Sequence, residues 1–176
     1  MAYTTKKTFL TDAVLTAADM NTYVSDNVEY VYDFIKVWDG GVPAARVSGS
    51  TGWSQTLTAS ATEAIIFDQE ILDTDAIWDV GAPTRLTCKT AGVYLLTGNV
   101  IAAQQQIYYI RIDGETVAKF ESATTGKPAI ITTVYPMTVN QYAELFVQNS
   151  ASSSQAITRE TGVSPVFSMV YMGPSA

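Results

Sequence analysis

Ten short segments in which apolar and polar residues alternate fill most of the chain after Trp53. They are rich in Val, Ile, Thr, Tyr and Phe and are separated by Gly, Pro, Asn and Ser, as β-strands are. The segments are Trp53–Thr58, Ala64–Asp68, Ala76–Asp79, Arg85–Lys89, Val93–Ala103, Gln106–Asp113, Thr116–Glu121, Ala129–Tyr135, Ala143–Asn149 and Val166–Met172. Many short strands without helical segments between them predict a mainly β, antiparallel sandwich or barrel.

One hairpin can be located from its turn. The residues IYYIRI-DGE-TVAKFE place Asp113–Gly114 between two alternating segments. An Asp-Gly pair in this position is typical of a two-residue type I′ turn, because both turn residues need positive φ. We therefore predict that the strands on either side of Asp113–Gly114 pair directly.

A single helix is predicted over residues 15–38. Thr16 is a good N-cap residue, and Asp19 follows three positions later, where a capping-box carboxylate reaches back. Asp19 also lies in the first turn, at the positive end of the helix dipole. Leu15 and Met20 occupy the two positions of a hydrophobic staple. These features predict one α-helix ahead of the β-strands.

The apolar face of this helix repeats at alternating spacings of four and three residues. Its members are Met20, Val24, Asn27, Val31, Phe34 and Trp38. This is the spacing of a coiled-coil seam, in which a polar core residue such as Asn27 fixes register and oligomeric state. An amphipathic helix lying against its own domain is the commoner arrangement. We favour trimerisation or docking through the seam, supported by an attached oligomeric domain because so short a seam is marginal alone.

Composition divides the chain into three parts. Asp39–Gly52 reads DGGVPAARVSGSTG, whose glycines and proline end the helix and whose small residues are typical of a linker. We predict an N-terminal arm and helix over residues 1–40, a linker over 41–52 and a β-domain over 53–176.

The missing residue types exclude several chemistries. The 176 residues contain no histidine and one cysteine, Cys88. An internal disulfide, a Cys/His zinc site and a His-dependent nucleophile are therefore impossible within one chain. We predict a protein that is not an enzyme and has no catalytic residues, no metal ligands and no cofactor. The net charge of −7 argues against nucleic acid as a partner.

Neither export nor membrane insertion is expected. Residues 1–15 lack the continuous apolar stretch of a secretory signal, so we expect synthesis in the cytoplasm. The most apolar run, Val93–Ala103, is interrupted by polar residues and is too short to span a bilayer.

Three carboxylates in one loop leave a calcium site open. Asp73, Asp75 and Asp79 supply the hard oxygen ligands that calcium prefers, although the spacing is not that of an EF-hand. Solvated loop carboxylates are the commoner explanation of such a cluster.

The aromatic residues and the cysteine have a structural and a functional interpretation. Trp53, Trp78, Tyr108 and Tyr109 could form a sugar-binding platform, but large aromatic side chains more often pack in a core or at an interface. The alternation of its strand predicts that Cys88 is buried and unreactive.

The β-region resembles the C1q/TNF-like jelly rolls. Arg85–Ala103, RLTCKTAGVYLLTGNVIAA, is similar to the central segment of that family, with a Gly-x-Tyr element before a long strand. The turn at Asp113–Gly114, the strand Tyr142–Ser150 and the terminal aromatic strand Val166–Gly173 follow in the family's order. The resemblance implies a homotrimer with aromatic and apolar residues packed along its threefold axis.

The N-terminal segment resembles the start of many bacteriophage virion proteins. Thr8–Ile35 contains their helix-start motif at Val14–Asn21, VLTAADMN, and their short "(R/S)DN" element at Ser25–Asn27. Together with a C1q-like domain, this resemblance implies a trimer on the outside of a particle, attached by its N-terminal arm at Ala2–Asp12.

Two functions from different classes follow. The main hypothesis is a non-enzymatic structural component displayed on the virion surface, a capsid decoration protein or short head fibre anchored to other virion proteins. The alternative is a tail receptor-binding protein that recognises host cell-surface glycans through the jelly roll. A free extracellular lectin or adhesin is a third, weaker possibility.

Overall fold

Twelve β-strands make up the described part of the protein. A computed structural model describes residues 41–101, 106–122, 128–160 and 163–175. Strands β1 to β12 are, in chain order, Ala44–Ser48, Ser54–Leu57, Thr62–Ala64, Gln69–Asp73, Arg85–Thr87, Gly92–Ile101, Gln106–Ile112, Glu115–Glu121, Pro128–Met137, Tyr142–Asn149, Gln155–Thr158 and Val166–Gly173.

The strands form two sheets and a small ribbon, and every strand pair among them is antiparallel. One sheet has the order β4-β1-β12-β6-β9, and the other has the order β3-β10-β7-β8 with β5 also pairing with β10. Strands β11 and β2 form the ribbon. The mainly β, antiparallel architecture predicted from the alternating segments is confirmed.

The core lies between the facing sides of the two sheets. Leu96 of β6 and Phe167 of β12 are fully buried there with Ile110 of β7 and Leu145 of β10. The sheets are in close contact at Gly98, where an added Cβ would lie 2.5 Å from Cδ1 of Leu145. Of the two architectures predicted from the alternating segments, a sandwich or a barrel, the protein therefore has the sandwich.

The segment expected to be a linker, 41–52, contributes a strand instead. β1 pairs with β12 on one side and β4 on the other, and it turns Ala45 and Val47 into the core. Its small residues and flanking glycines resemble a linker in composition, which conceals the alternation. The compact β-unit begins at Pro43, ahead of the expected start at Trp53.

The predicted strand at residues 76–79 is a loop organised by one carboxylate. Asp73 accepts hydrogen bonds from the backbone N–H groups of Asp75, Ile77 and Trp78 at 3.1, 2.9 and 2.8 Å. Ala76 has a φ of 50°, which a strand does not allow. The side chain of Asp73 thus takes the N–H groups of this segment, and an isolated bridge between Trp78 and Leu86 stands in place of a continuous ladder.

A glutamine side chain similarly shifts the third strand. β3 is Thr62–Ala64, not the predicted 64–68. Gln55 donates to the carbonyl of Ala64 at 2.8 Å and accepts from the N–H of Ile66 at 2.9 Å. Together with a bond from the N–H of Ile65 to the carbonyl of Leu145, these bonds hold the chain after the ladder of β3 ends.

The predicted hairpin turn is confirmed. Asp113 and Gly114 have φ angles of 50° and 88°, and Ile112 pairs directly with Glu115 across them. Positive φ at both positions is the mark of a type I′ turn.

The predicted helix lies outside the described residues. This applies to its cap at Thr16 and Asp19 and to the seam residues Met20, Val24, Asn27, Val31, Phe34 and Trp38. Within the ranges given above, no helix is long and apolar enough to cross a membrane.

Candidate assembly face

The outward side of the sheet β4-β1-β12-β6-β9 is unusually apolar. Ile130 and Val134 of β9 are 60% and 57% exposed, and Met172 of β12 is 61% exposed. Leu72 of β4 is also exposed. Large apolar side chains that share one surface are typical of an interface rather than of a free surface. We call this surface the assembly face.

The strand register makes part of this apolar surface contiguous. Val170 of β12 lies opposite Leu95 of β6, which lies opposite Val134 of β9. In the next row of the same face, Val93 lies opposite Pro136. Apolar side chains therefore extend across three neighbouring strands in adjacent rows.

One row made up mostly of hydroxyl side chains crosses the assembly face. Arg46 lies opposite Ser168, Ser168 opposite Thr97, and Thr97 opposite Thr132. The hydroxyl groups of Thr97 and Thr132 are 3.2 Å apart, and Thr132 also donates to the carbonyl of Leu96. The guanidinium of Arg46 makes no hydrogen bond or ion pair with the residues that the structure describes.

Charged residues are otherwise missing from the centre of this face. The outward positions of β6, β9 and β12 that the structure describes are all uncharged: Val93, Leu95, Thr97, Asn99, Ile101, Ile130, Thr132, Val134, Pro136, Val166, Ser168, Val170 and Met172. Depletion of charge at the centre of a surface is characteristic of protein–protein interfaces.

Two shallow concavities lie along the Arg46 side of the face. One, of about 160 Å³, lies between Ile71, Arg159 and Val163, and the other, of about 230 Å³, lies between Asn99, Ile130 and Val163. Small-molecule sites enclose about 300–1,000 Å³. The geometry therefore suits contact with another surface better than enclosure of a small ligand.

The four aromatic residues considered as a sugar platform do not form one. Trp53 and Tyr108 are buried, and the indole N–H of Trp53 donates to the carbonyl of Ile66 at 3.0 Å. Trp78 is half-buried and forms a bridge to Leu86. Tyr109 lies on the outward side of the other sheet. These positions favour the packing interpretation for Trp53, Tyr108 and Trp78.

Cys88 is fully buried, as its strand pattern predicted. Its thiol lies 3.2 Å from the carbonyl oxygen of Thr90, which also accepts the hydroxyl proton of Tyr94 at 2.5 Å. Burial raises the pKa of the Cys88 thiol above its ordinary value. A protonated, inaccessible thiol is a poor nucleophile.

The acidic loop uses its carboxylates to hold itself together. Besides the three bonds of Asp73, Asp75 accepts a hydrogen bond from the hydroxyl of Thr90 at 3.0 Å, and Asp79 accepts one from the N–H of Gly81 at 2.8 Å. Within the described part of the chain, no cluster of three His, Cys, Asp or Glu side chains is placed to hold a metal ion.

Sequence reasoning assigned no role to the assembly face, although a signal was present. Residues 93–101 are apolar at most outward as well as inward positions, which a strand with one solvated face would not require. Val93 and Leu95 point outward and alternate along the strand with Tyr94 and Leu96, which are buried. An apolar run in an antiparallel strand thus indicates that both faces become covered.

Comparison with known proteins shows the fold. No protein-family model and no curated protein matches the chain. The globular domain of zebrafish complement 1qA is similar at a TM-score of 0.57 and 13% identity, covering 76% of this chain and 99% of that one. Murine APRIL gives 0.55 and 10%, covering 74% and 98%, and the Eiger TNF of S. frugiperda gives 0.51 and 16%, covering 77% and 95%. The described region therefore has the C1q/TNF-like jelly-roll fold that the resemblance implied.

Proposed function

We propose that the protein is a non-enzymatic structural component of a phage particle. It is a homotrimer displayed on the virion surface as a capsid decoration protein or short head fibre. The observation that carries the proposal is the assembly face, a predominantly apolar surface on one sheet of a C1q/TNF-like jelly roll.

A second copy of the chain is the occupant that best fits this face. The chain carries a net charge of −7, so two copies repel each other wherever acidic groups meet. The outward positions of β6, β9 and β12 are uncharged, so self-association there avoids that repulsion. Burying one Val or Ile side chain contributes about 1.5–3 kcal/mol, and several such side chains lie on the face.

The attachment to a particle is inferred from the N-terminal resemblance. The arm Ala2–Asp12 docks on other virion proteins, and the helix seam from Met20 to Trp38 supports the trimer. The protein is made in the host cytoplasm and reaches the virion surface by assembly. Deletion of residues 1–38 should abolish attachment to particles while leaving the β-domain folded.

The trimer is tested by introducing charge into the assembly face. Val134→Lys places an ammonium group among apolar residues that the trimer would desolvate, which is costly without a partner. Val80→Lys is the matched control, because Val80 is 75% exposed in a loop outside this sheet. We expect sedimentation to show trimers for the wild type and for Val80→Lys, and dissociation for Val134→Lys. Equal trimerisation of the two variants would contradict this assignment of the interface.

The receptor-binding function remains the second candidate, because the opposite side of the sandwich also carries an organised set of side chains. That surface is formed by arginine and aromatic residues on β5, β10 and β7. It does not overlap the assembly face, which lies on the other sheet.

A further inference from the structure

Two arginines and a glutamate form a row across the outward side of the second sheet. Arg85 of β5 lies opposite Glu144 of β10, and Glu144 lies opposite Arg111 of β7. Neighbouring strands are about 4.8 Å apart, so the three side chains share one small area. The row is flanked by aromatic side chains on both sides.

Arg85 is exposed but is engaged within the protein through its Nε and the face of its guanidinium. Its Nε lies 3.4 Å from Oε1 of Glu144, and its guanidinium lies 3.9 Å from the ring centroid of Tyr142. Glu144 is almost completely buried and also accepts a hydrogen bond from the hydroxyl of Thr84 at 2.7 Å. The one buried carboxylate of the row is thereby committed to Arg85 and Thr84.

Arg111 is held in place but not neutralised. Its guanidinium lies 4.3 Å from the ring centroid of Phe146 and 5.5 Å from that of Tyr109. Its Nε is buried without a hydrogen-bond partner, and no described carboxylate lies within salt-bridge distance of it. A desolvated donor without an acceptor is costly, so the rings fix a cation whose own hydrogen bonds are unused.

Uncharged hydrogen-bonding groups lie in the next two rows, with Tyr109 opposite Phe146 and Gln148 opposite Ile107. The hydroxyl of Tyr109 donates to Oε1 of Gln148 at 2.6 Å, which orients the glutamine amide. The amide N–H groups of Gln148 make no hydrogen bond with described residues. Lys119 of β8 lies opposite Tyr109 and is exposed.

We propose that Arg111, Gln148 and Lys119 bind an acidic sugar. The guanidinium of Arg111 would take the carboxylate, since its planar fork matches a carboxylate better than an ammonium does. The amide of Gln148 and the ammonium of Lys119 would donate to ring hydroxyl groups.

The location favours a saccharide over an acidic peptide. Extended peptides bind most readily by adding a strand to a sheet edge, whereas β7 and β10 are interior strands whose backbone groups are already paired. The site also needs no second copy of the chain, because it lies on the side of the sandwich opposite the assembly face. The proposal assigns acidic sugars as the ligand class of the receptor-binding function, and it rests on that second candidate function alone.

The experiment is saturation-transfer NMR on the full chain, with glucuronate as the probe and glucose as the neutral comparison. We expect glucuronate to bind and glucose to bind much more weakly. Arg111→Leu should weaken glucuronate binding about tenfold to a hundredfold, the effect of losing a charge-assisted hydrogen bond. Arg111→Lys should weaken it by a similar factor, because it keeps the charge but loses the fork.

Lys89→Gln is the matched control, since it removes one exposed cation at a position outside the site. It should bind glucuronate as the wild type does, and unfolding curves should show that all variants are folded. If Arg111→Lys bound glucuronate with wild-type affinity, a positive charge alone would account for the binding, and the proposal would be overturned. Preference for a poly-glutamate peptide over glucuronate would also overturn it, in favour of an acidic protein partner.

Sedimentation of the same samples separates this proposal from the trimer. A monomer that binds glucuronate would refute the homotrimer and leave the sugar site standing. A trimer that does not bind glucuronate would refute the sugar site and leave the homotrimer standing.

Discussion

Replacement of Gly92 by alanine tests the packing of the sheet that carries the assembly face. Gly92 begins β6, beside the irregular end of β12 between Tyr171 and Gly173. An added Cβ would lie 2.5 Å from the carbonyl oxygen of Gly173, 3.0 Å from Cδ2 of Tyr171 and closer still to Cε2 of the same ring. Real Cβ atoms do not approach other atoms so closely, so the neighbouring strand must shift.

The neighbours of Gly92 have little freedom to move. The ring of Tyr171 packs edge-on against the buried Tyr94, with centroids 5.4 Å apart. The oxygen of Gly173 belongs to the backbone and cannot rotate away. Overpacking of this kind costs about 1–3 kcal/mol, and alanine recovers about 0.5–1 kcal/mol because it restricts the unfolded chain. Because the added Cβ would meet two atoms at 2.5 Å or less, the overpacking cost lies at the upper end of its range. We therefore expect a net loss of about 1–2 kcal/mol in the free energy of unfolding.

The assay is thermal unfolding at one fixed protein concentration, because Tm depends on concentration in an oligomer. A loss of that size should lower Tm by about 2–8 °C in a domain of this length. Gly81→Ala is the control, since the nearest atom to its added Cβ is Oδ1 of Asp79 at an ordinary 3.4 Å. An unchanged or raised Tm for Gly92→Ala would refute the described approach of β12 to β6.

Two further predictions concern Asp73, which is half-buried, and Tyr108, which is buried. Asp73→Ala should lower the free energy of unfolding by about 1–3 kcal/mol, because the backbone N–H groups of Ile77 and Trp78 lose their acceptor. Urea unfolding measures this loss, and a variant as stable as the wild type would contradict the role of Asp73 in the loop. Burial raises the pKa of Tyr108 to about 12 from its ordinary value of 10.0, so the folded state keeps a proton that the unfolded chain loses above pH 10. Through this group, the free energy of unfolding should therefore fall by about 1.4 kcal/mol per pH unit between pH 10 and 12 and should not change below pH 10. Tyr108→Phe should lack that part of the pH dependence. Parallel profiles of unfolding free energy against pH for the two proteins would contradict the prediction.

The sequence predicts those elements whose cause is local. The turn at Asp113–Gly114 follows from two residues that tolerate positive φ, and the long strand at Gly92–Ile101 follows from its own alternation. Strand β1 was missed because Ala44–Ser48 lies among small residues and glycines, and its two partners are distant in the chain. The false strand at 76–79 has a local cause that its alternation does not reveal: the carboxylate of the nearby Asp73 accepts the N–H groups that a strand would offer to a neighbouring strand.

The candidate sites depend on register, which a single sequence does not reveal. Val170, Leu95 and Val134 become neighbours only when β12, β6 and β9 pair. Likewise, the contact between Arg111 and Phe146 requires β7 beside β10. Each strand taken alone shows which residues alternate, but not which face will be covered by another molecule.

Sedimentation equilibrium of the full wild-type chain tests the central claim most directly. The assembly face, placed on a C1q/TNF-like jelly roll, predicts a species of about three times the 19.0 kDa chain mass at micromolar concentration. A monomer of 19.0 kDa at that concentration would contradict the homotrimer and leave the apolar face without its proposed occupant.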